Sequence, residues 1–204
     1  MKTIHSHNVT HYDIKCDNVL IDFVGDGEET DLRYLTEDDF QITVGDFGEC
    51  KIFSNDKDEF CTRNRGTDSI KSPEMLQLAI NTRKDHDKYD RRKQVGTNRL
   101  SDIWSVGCLF YELLTGEFLL YNPDFAWFFV SVVSDKLDLI TEEKLKKIDN
   151  SQYIKDFLKF ILIRDQRLRP TIDKVIKRFD HIHAIMVGQS SQNGQNHDPT
   201  PIFE

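Results

Sequence analysis

Apolar and polar positions alternate along this chain in a way that separates two short strands from a helical second half. Val19-Leu20-Ile21-Asp22-Phe23 and Phe40-Gln41-Ile42-Thr43-Val44 are runs of branched and aromatic residues of strand length. The stretch between them, residues 25–39, carries Asp26, Glu28, Glu29, Asp31, Glu37, Asp38 and Asp39 and reads as a solvated insertion. Residues 51–65 are polar and irregular, the pattern of a mobile loop, and residues 81–99 mix both charge signs as a second surface loop would. From residue 102 to 115 the pattern becomes helical. Ile103, Trp104, Val106, Cys108, Leu109, Phe110, Leu113 and Leu114 leave little polar face, which places that helix in the middle of a domain. Gly116 follows as its stop. Two further helices are predicted over 153–163 and 171–179, with Pro170 at the start of the second. Residues 188–204, rich in Gln, Asn, Ser and Pro, predict a disordered tail behind a single domain over 1–187.

Composition narrows the classes. The 204 residues are 38% hydrophobic and 30% charged, within the range of a globular protein. With 27 Lys plus Arg against 35 Asp plus Glu, the net charge is −8, which argues against a phosphate-tracking nucleic-acid binder. Cys16, Cys50, Cys61 and Cys108 form no Cys-x-x-Cys pair, so neither a zinc site nor a disulfide scaffold is expected. The start, Met1-Lys2-Thr3-Ile4-His5-Ser6-His7, lacks the apolar run of a secretory signal. The apolar region 118–134 is broken by Pro123 and Asp124 and is too short to span a bilayer. The expectation is an intracellular, cytoplasmic chain with no membrane or nucleic-acid partner. A calcium loop starting at Asp22 is excluded, because Val24 and Arg33 would occupy its third and twelfth positions. The basic cluster Arg91, Arg92, Lys93 reads as a solvated face.

Candidate chemistry sits at the ends of the two strands. His11-Tyr12-Asp13-Ile14-Lys15-Cys16-Asp17-Asn18 leads into the first, and Asp46-Phe47-Gly48 follows the second. Asp13 is placed to accept a proton and Lys15 to neutralise developing negative charge. Asn18 and Asp46 are hard oxygen donors of the kind Mg²⁺ takes along with substrate phosphates and water.

In combination and in order, these segments resemble the catalytic core of eukaryotic protein kinases, with His-x-Asp-x-Lys-x-x-Asn followed by Asp-Phe-Gly. Gly66-Thr67-Asp68-Ser69-Ile70-Lys71-Ser72-Pro73-Glu74 resembles the end of an activation segment, with Ser-Pro-Glu in place of Ala-Pro-Glu. Ser101-Asp102-Ile103-Trp104-Ser105-Val106-Gly107 resembles the start of the central helix of the large lobe. Arg164-Asp165-Gln166-Arg167-Leu168-Arg169-Pro170 resembles the late Arg-Pro signature.

That resemblance implies a Ser/Thr protein kinase, a transferase using ATP and Mg²⁺ on the hydroxyls of protein substrates. Asp13 matches the catalytic aspartate and Lys15 the lysine that meets the transferring phosphoryl group. Asn18 and Asp46 match the metal ligands, and Thr67 matches the threonine that bridges the substrate-binding loop to the catalytic residues. Glu74 with Arg169, Asp102, His11 and Trp104 match structural positions. The implied fold is α+β, predominantly α-helical: a kinase-like C-terminal lobe without the N-terminal lobe. No Gly-x-Gly-x-x-Gly can be drawn from these residues, and His11 leaves no room for the strand lysine. The isolated chain is therefore expected to be inactive. A non-catalytic kinase-like interaction module and a piece of a longer product are the alternatives. Tyr12 departs from the family pattern, which has arginine before the catalytic aspartate.

Overall fold

In a computed structural model, the described residues are 1–24, 36, 38–54, 60–84, 96–148 and 151–193, without the side chains of 79–84 and 189–193. Most of the acidic insertion, and the basic cluster at 91–93, lie outside them. The chain opens with helix α1 (Lys2–Ser6), followed by strands β1 (Val9–Thr10), β2 (Val19–Phe23), β3 (Phe40–Val44) and β4 (Lys51–Ile52). Six helices follow: α2 (Pro73–Lys84), α3 (Leu100–Thr115), α4 (Phe125–Val133), α5 (Glu142–Lys146), α6 (Gln152–Ile161) and α7 (Ile172–Asn193).

The predicted strands are β2 and β3, paired antiparallel from Val19 opposite Val44 to Phe23 opposite Phe40. Leu20, Ile21, Phe23 and Ile42 of this hairpin are nonetheless exposed. β1 pairs antiparallel with β4, in register Val9 to Ile52.

Helix α3 is the centre of the core, as its pattern requires. Trp104, Cys108 and Tyr111 join Leu119, Phe128, Val132, Ile140 and Leu158 in one apolar cluster, while Ile103 packs with Phe157, Ile161, Ile172 and Val175 in a second. Burying one such side chain contributes roughly 1.5–3 kcal/mol. The helix ends where Gly116 takes φ +69, and its last turn leaves Leu113 and Leu114 exposed, so the burial all round stops there. Three helices start on side-chain caps that satisfy otherwise orphaned amides: Asp124 for α4, Thr141 for α5 and Ser151 for α6.

Three expectations are corrected. The stretch 51–65 begins as a strand, and Cys61 forms a bridge with Thr97. The stretch 81–99 is not all surface loop: α2 continues to Lys84, and Gly96 and Thr97 are buried. Polar composition misled here because Thr97 turns both backbone groups toward Cys61 rather than to water. Finally, α7 passes the expected boundary at residue 187 and runs to Asn193, while residues 194–204 lie outside the described set. No helix among the described residues is long and apolar enough to cross a membrane.

Candidate active site

The site is built on a carboxylate inside the core. Asp102 sits in the first turn of α3, fully buried, and its Oδ2 accepts the His11 amide at 2.9 Å while Oδ1 accepts the Tyr12 amide at 2.7 Å. His5 of α1 adds its Nε2 at 2.9 Å from the same Oδ2. These bonds hold Tyr12 at φ +68, a left-handed conformation that costs a side-chain-bearing residue roughly 1–2 kcal/mol.

Asp13 gathers the other predicted residues. Its Oδ1 accepts the Thr67 hydroxyl at 2.7 Å and the Thr67 amide at 2.9 Å. Its Oδ2 lies 3.2 Å from Lys15 Nζ and 3.1 Å from Asn18 Nδ2. Lys15 Nζ donates to Thr67 Oγ1 at 2.9 Å, and Asn18 Nδ2 donates to the Asp13 carbonyl at 2.8 Å. Burial alone would raise the Asp13 carboxyl, but the hydrogen bonds from Thr67 and Lys15 outweigh it and hold Asp13 below the ordinary carboxylate range. Asp13 therefore stays ionised at neutral pH and presents a proton acceptor. The Cys16 thiol is no competing nucleophile, since burial and the nearby Glu112 push it up to about 11.

Asp46 is not hydrogen-bonded to this cluster but is held beside it. The Gly45 amide donates to the Asn18 carbonyl at 2.8 Å, and His11 Nε2 lies 2.9 Å from the Gly45 carbonyl. His11 and Phe47 pack with ring centroids 4.8 Å apart. Asp46 itself takes φ +54 and is exposed, with Oδ1 accepting the Gly48 amide at 3.1 Å.

The donor chemistry fits Mg²⁺. Asn18 commits its amide nitrogen to Asp13, which leaves its carbonyl oxygen as the atom for a cation, and Asp46 contributes an exposed carboxylate. Among the described residues, no group of three or more His, Cys, Asp or Glu forms a metal cage. Two oxygen donors, one buried and one exposed, suit Mg²⁺, because it keeps waters and substrate phosphates as its remaining ligands.

The segment carrying Thr67 is fixed from two sides. Gly66, at φ +79, passes so close to the loop carrying Asp13 that a Cβ there would stand 2.1 Å from the Tyr12 carbonyl oxygen. Beyond it, Glu74 and Arg169 form the expected buried pair, with Nη1–Oε1 at 2.7 Å and Nη2–Oε2 at 2.8 Å. Arg169 also lies 5.4 Å over the Trp104 ring. Sequence reasoning missed three participants: His5 on Asp102, Ser101, whose hydroxyl donates to Glu74 at 2.9 Å, and Thr97, which accepts the Tyr12 hydroxyl at 2.9 Å. Ser101 and His5 lie within or beside recognised segments. Thr97 carries no local signal.

The protein kinase domain family matches residues 1–179. A probable serine/threonine-protein kinase of Dictyostelium discoideum is 43% identical over 189 residues, covering 91% of this chain and 8% of that protein. The serine/threonine-protein kinase RAD53 of Saccharomyces cerevisiae is 28% identical over 178 residues, covering 86% of this chain and 19% of its own. The calcium/calmodulin-dependent protein kinase cmkA of Emericella nidulans is 28% identical over 200 residues, covering 93% and 37%. The chain thus spans well under half the length of these relatives.

Proposed function

The chain belongs to the protein kinase family, and from that premise we propose that it carries the catalytic and substrate-binding residues of an ATP- and Mg²⁺-dependent Ser/Thr kinase. The observation that carries this reading is the Asp13–Lys15–Thr67 triangle, closed by three direct contacts of 2.7, 2.9 and 3.2 Å. Asp13 orients the substrate hydroxyl and takes its proton. Lys15 offsets negative charge that grows on the transferring group. Thr67 locks the substrate-binding segment to both, so that a bound hydroxyl is presented to Asp13. Asn18 and Asp46 would hold Mg²⁺, which supplies charge neutralisation at the phosphates. Phosphoryl transfer demands positioning and electrostatics more than covalent chemistry, and this cluster provides both.

We place its site of action in the cytoplasm, on protein substrates. The test is phosphate transfer from labelled ATP to generic Ser- and Thr-containing proteins, using the protein expressed from its complete reading frame. Transfer that vanishes in Asp13→Asn and in the absence of Mg²⁺ is the expected result. Failure of the wild type to transfer or to bind ATP would refute the reading and favour the interaction module.

A further inference from the structure

Tyr12 occupies a place that its neighbours make unusual. It is 4% exposed, strained in backbone and packed against Cys61, Met75 and Leu78, with Phe53 partly covering the cluster. Its hydroxyl donates to the Thr97 carbonyl at 2.9 Å. The same carbonyl accepts the Cys61 amide at 2.7 Å, and the Thr97 amide returns a bond to the Cys61 carbonyl at 2.9 Å. Thr97 Oγ1 stands 3.2 Å from both the Tyr12 oxygen and the Cys61 carbonyl, and its single proton serves one at a time. Residue 61 lies in the stretch that leads to Gly66 and Thr67. The phenol thus holds one end of that stretch, while the Tyr12 carbonyl abuts Gly66 at the other.

We propose that Tyr12 is a positioning residue: its phenol fastens the Cys61–Thr97 bridge to the catalytic loop and so sets Gly66 and Thr67 on Asp13 with a neutral contact. This rests on the kinase reading of Asp13 and Thr67. No ion pair forms at Tyr12. Burial pushes the phenol well above its ordinary pKa, so it remains a donor throughout the neutral range. Arg65 of the same stretch is turned to other partners. Its Nη1 donates to the Glu49 carbonyl at 2.9 Å and its Nε points to Cys61 Sγ at 3.4 Å. The stretch is held at Cys61 by the neutral Thr97 bridge and at Arg65 by its contacts with Glu49, whose carboxylate lies 3.9 Å from Nη1.

Tyr12→Phe keeps the ring and removes only the hydroxyl, which separates tethering from packing. The experiment uses the protein from its complete reading frame and reads amide hydrogen exchange at Cys61 and Thr97. Loss of one net hydrogen bond should speed exchange there about 2- to 10-fold, with α3 amides unchanged. In kinetics, the protein-substrate KM of Tyr12→Phe should rise with the ATP KM unmoved. Unchanged exchange at both amides in Tyr12→Phe overturns the proposal, as does a protein-substrate KM equal to that of the wild type. Accelerated exchange in a protein with no transferase activity upholds the tether and refutes the kinase reading instead.

Discussion

Replacing Arg169 with methionine tests how the late part of the chain holds the segment that carries Thr67 and Glu74. Arg169 donates twice to Glu74, and also to the carbonyls of Ile163 (2.7 Å), Leu100 (2.7 Å) and Arg164 (3.1 Å). Its side chain is wholly buried and that of Glu74 is 10% exposed. Methionine fills similar volume but leaves the Glu74 carboxylate with the Ser101 hydroxyl alone among these partners. Breaking a buried pair from one side costs roughly 3–5 kcal/mol. For a chain of this size each kcal/mol moves Tm by about 2–4 °C, so a fall of roughly 6–20 °C is expected in a thermal melt at pH 7. The deficit should shrink in acid. In the wild type, burial alone would raise Glu74, yet Arg169 holds it below its unfolded value. That contribution is present above the unfolded pKa and is lost as pH falls through the folded one. In Arg169→Met the largest offset to burial is gone, so the folded pKa of Glu74 rises and its ionised form contributes less to the folded state. The two stability curves therefore converge between neutral pH and about pH 4. The double variant Glu74→Leu/Arg169→Met should recover most of the loss, because an apolar pair leaves no buried charge. A single-variant Tm within about 2 °C of wild type, or a deficit that widens on acidification, would refute the reasoning.

Asp13→Asn should lower kcat by about 10²–10⁴ with little change in Tm, since the amide keeps an oxygen for Thr67; a drop below tenfold would remove Asp13 from the role of base. Thr67→Val deletes a bond that depresses the Asp13 pKa, so the acidic limb of kcat/KM against pH should move to higher pH. An unmoved limb in that variant would mean the limb belongs to another group. Gly66→Ala places a methyl against the Tyr12 carbonyl in a left-handed backbone and should abolish protein-substrate phosphorylation; near-normal kcat/KM there would show that the segment does not have to lie on the loop. Ile21→Thr/Ile42→Thr, paired across the exposed hairpin, should reduce binding of a hydrophobic dye by the isolated chain, and undiminished fluorescence would locate the dye elsewhere.

What could be read from the residues follows from range of interaction. The β2–β3 hairpin, α3 and its Gly116 stop are local in origin, declared by branched residues, an apolar run and a glycine, and they stand where the pattern puts them. Asp13, Lys15, Asn18 and Thr67 were legible as a motif, although no periodicity could show that Thr67 bonds both Asp13 and Lys15 across more than fifty residues. Thr97 was not legible. Its neighbours are polar, and its burial depends on Cys61 and Tyr12, 36 and 85 residues away. The same holds for α7, whose Gln, Ser and Asn at the end read as coil yet continue a helix already 16 residues long at Val187.

Asp102 also imposes an order of events on biosynthesis. The loop at Tyr12 and His11 emerges from the ribosome 90 and 91 residues before the carboxylate that receives its two amides. At about 5–20 residues per second, that interval lasts roughly 5–20 s. Throughout it the strained turn at Tyr12 has no partner to hold it, so the loop takes shape only after α3 has been made and docked. A ribosome stalled after Thr67 but before Asp102 carries every residue of the Asp13, Lys15, Asn18 and Thr67 cluster in a chain with no Asp102 yet to hold its loop.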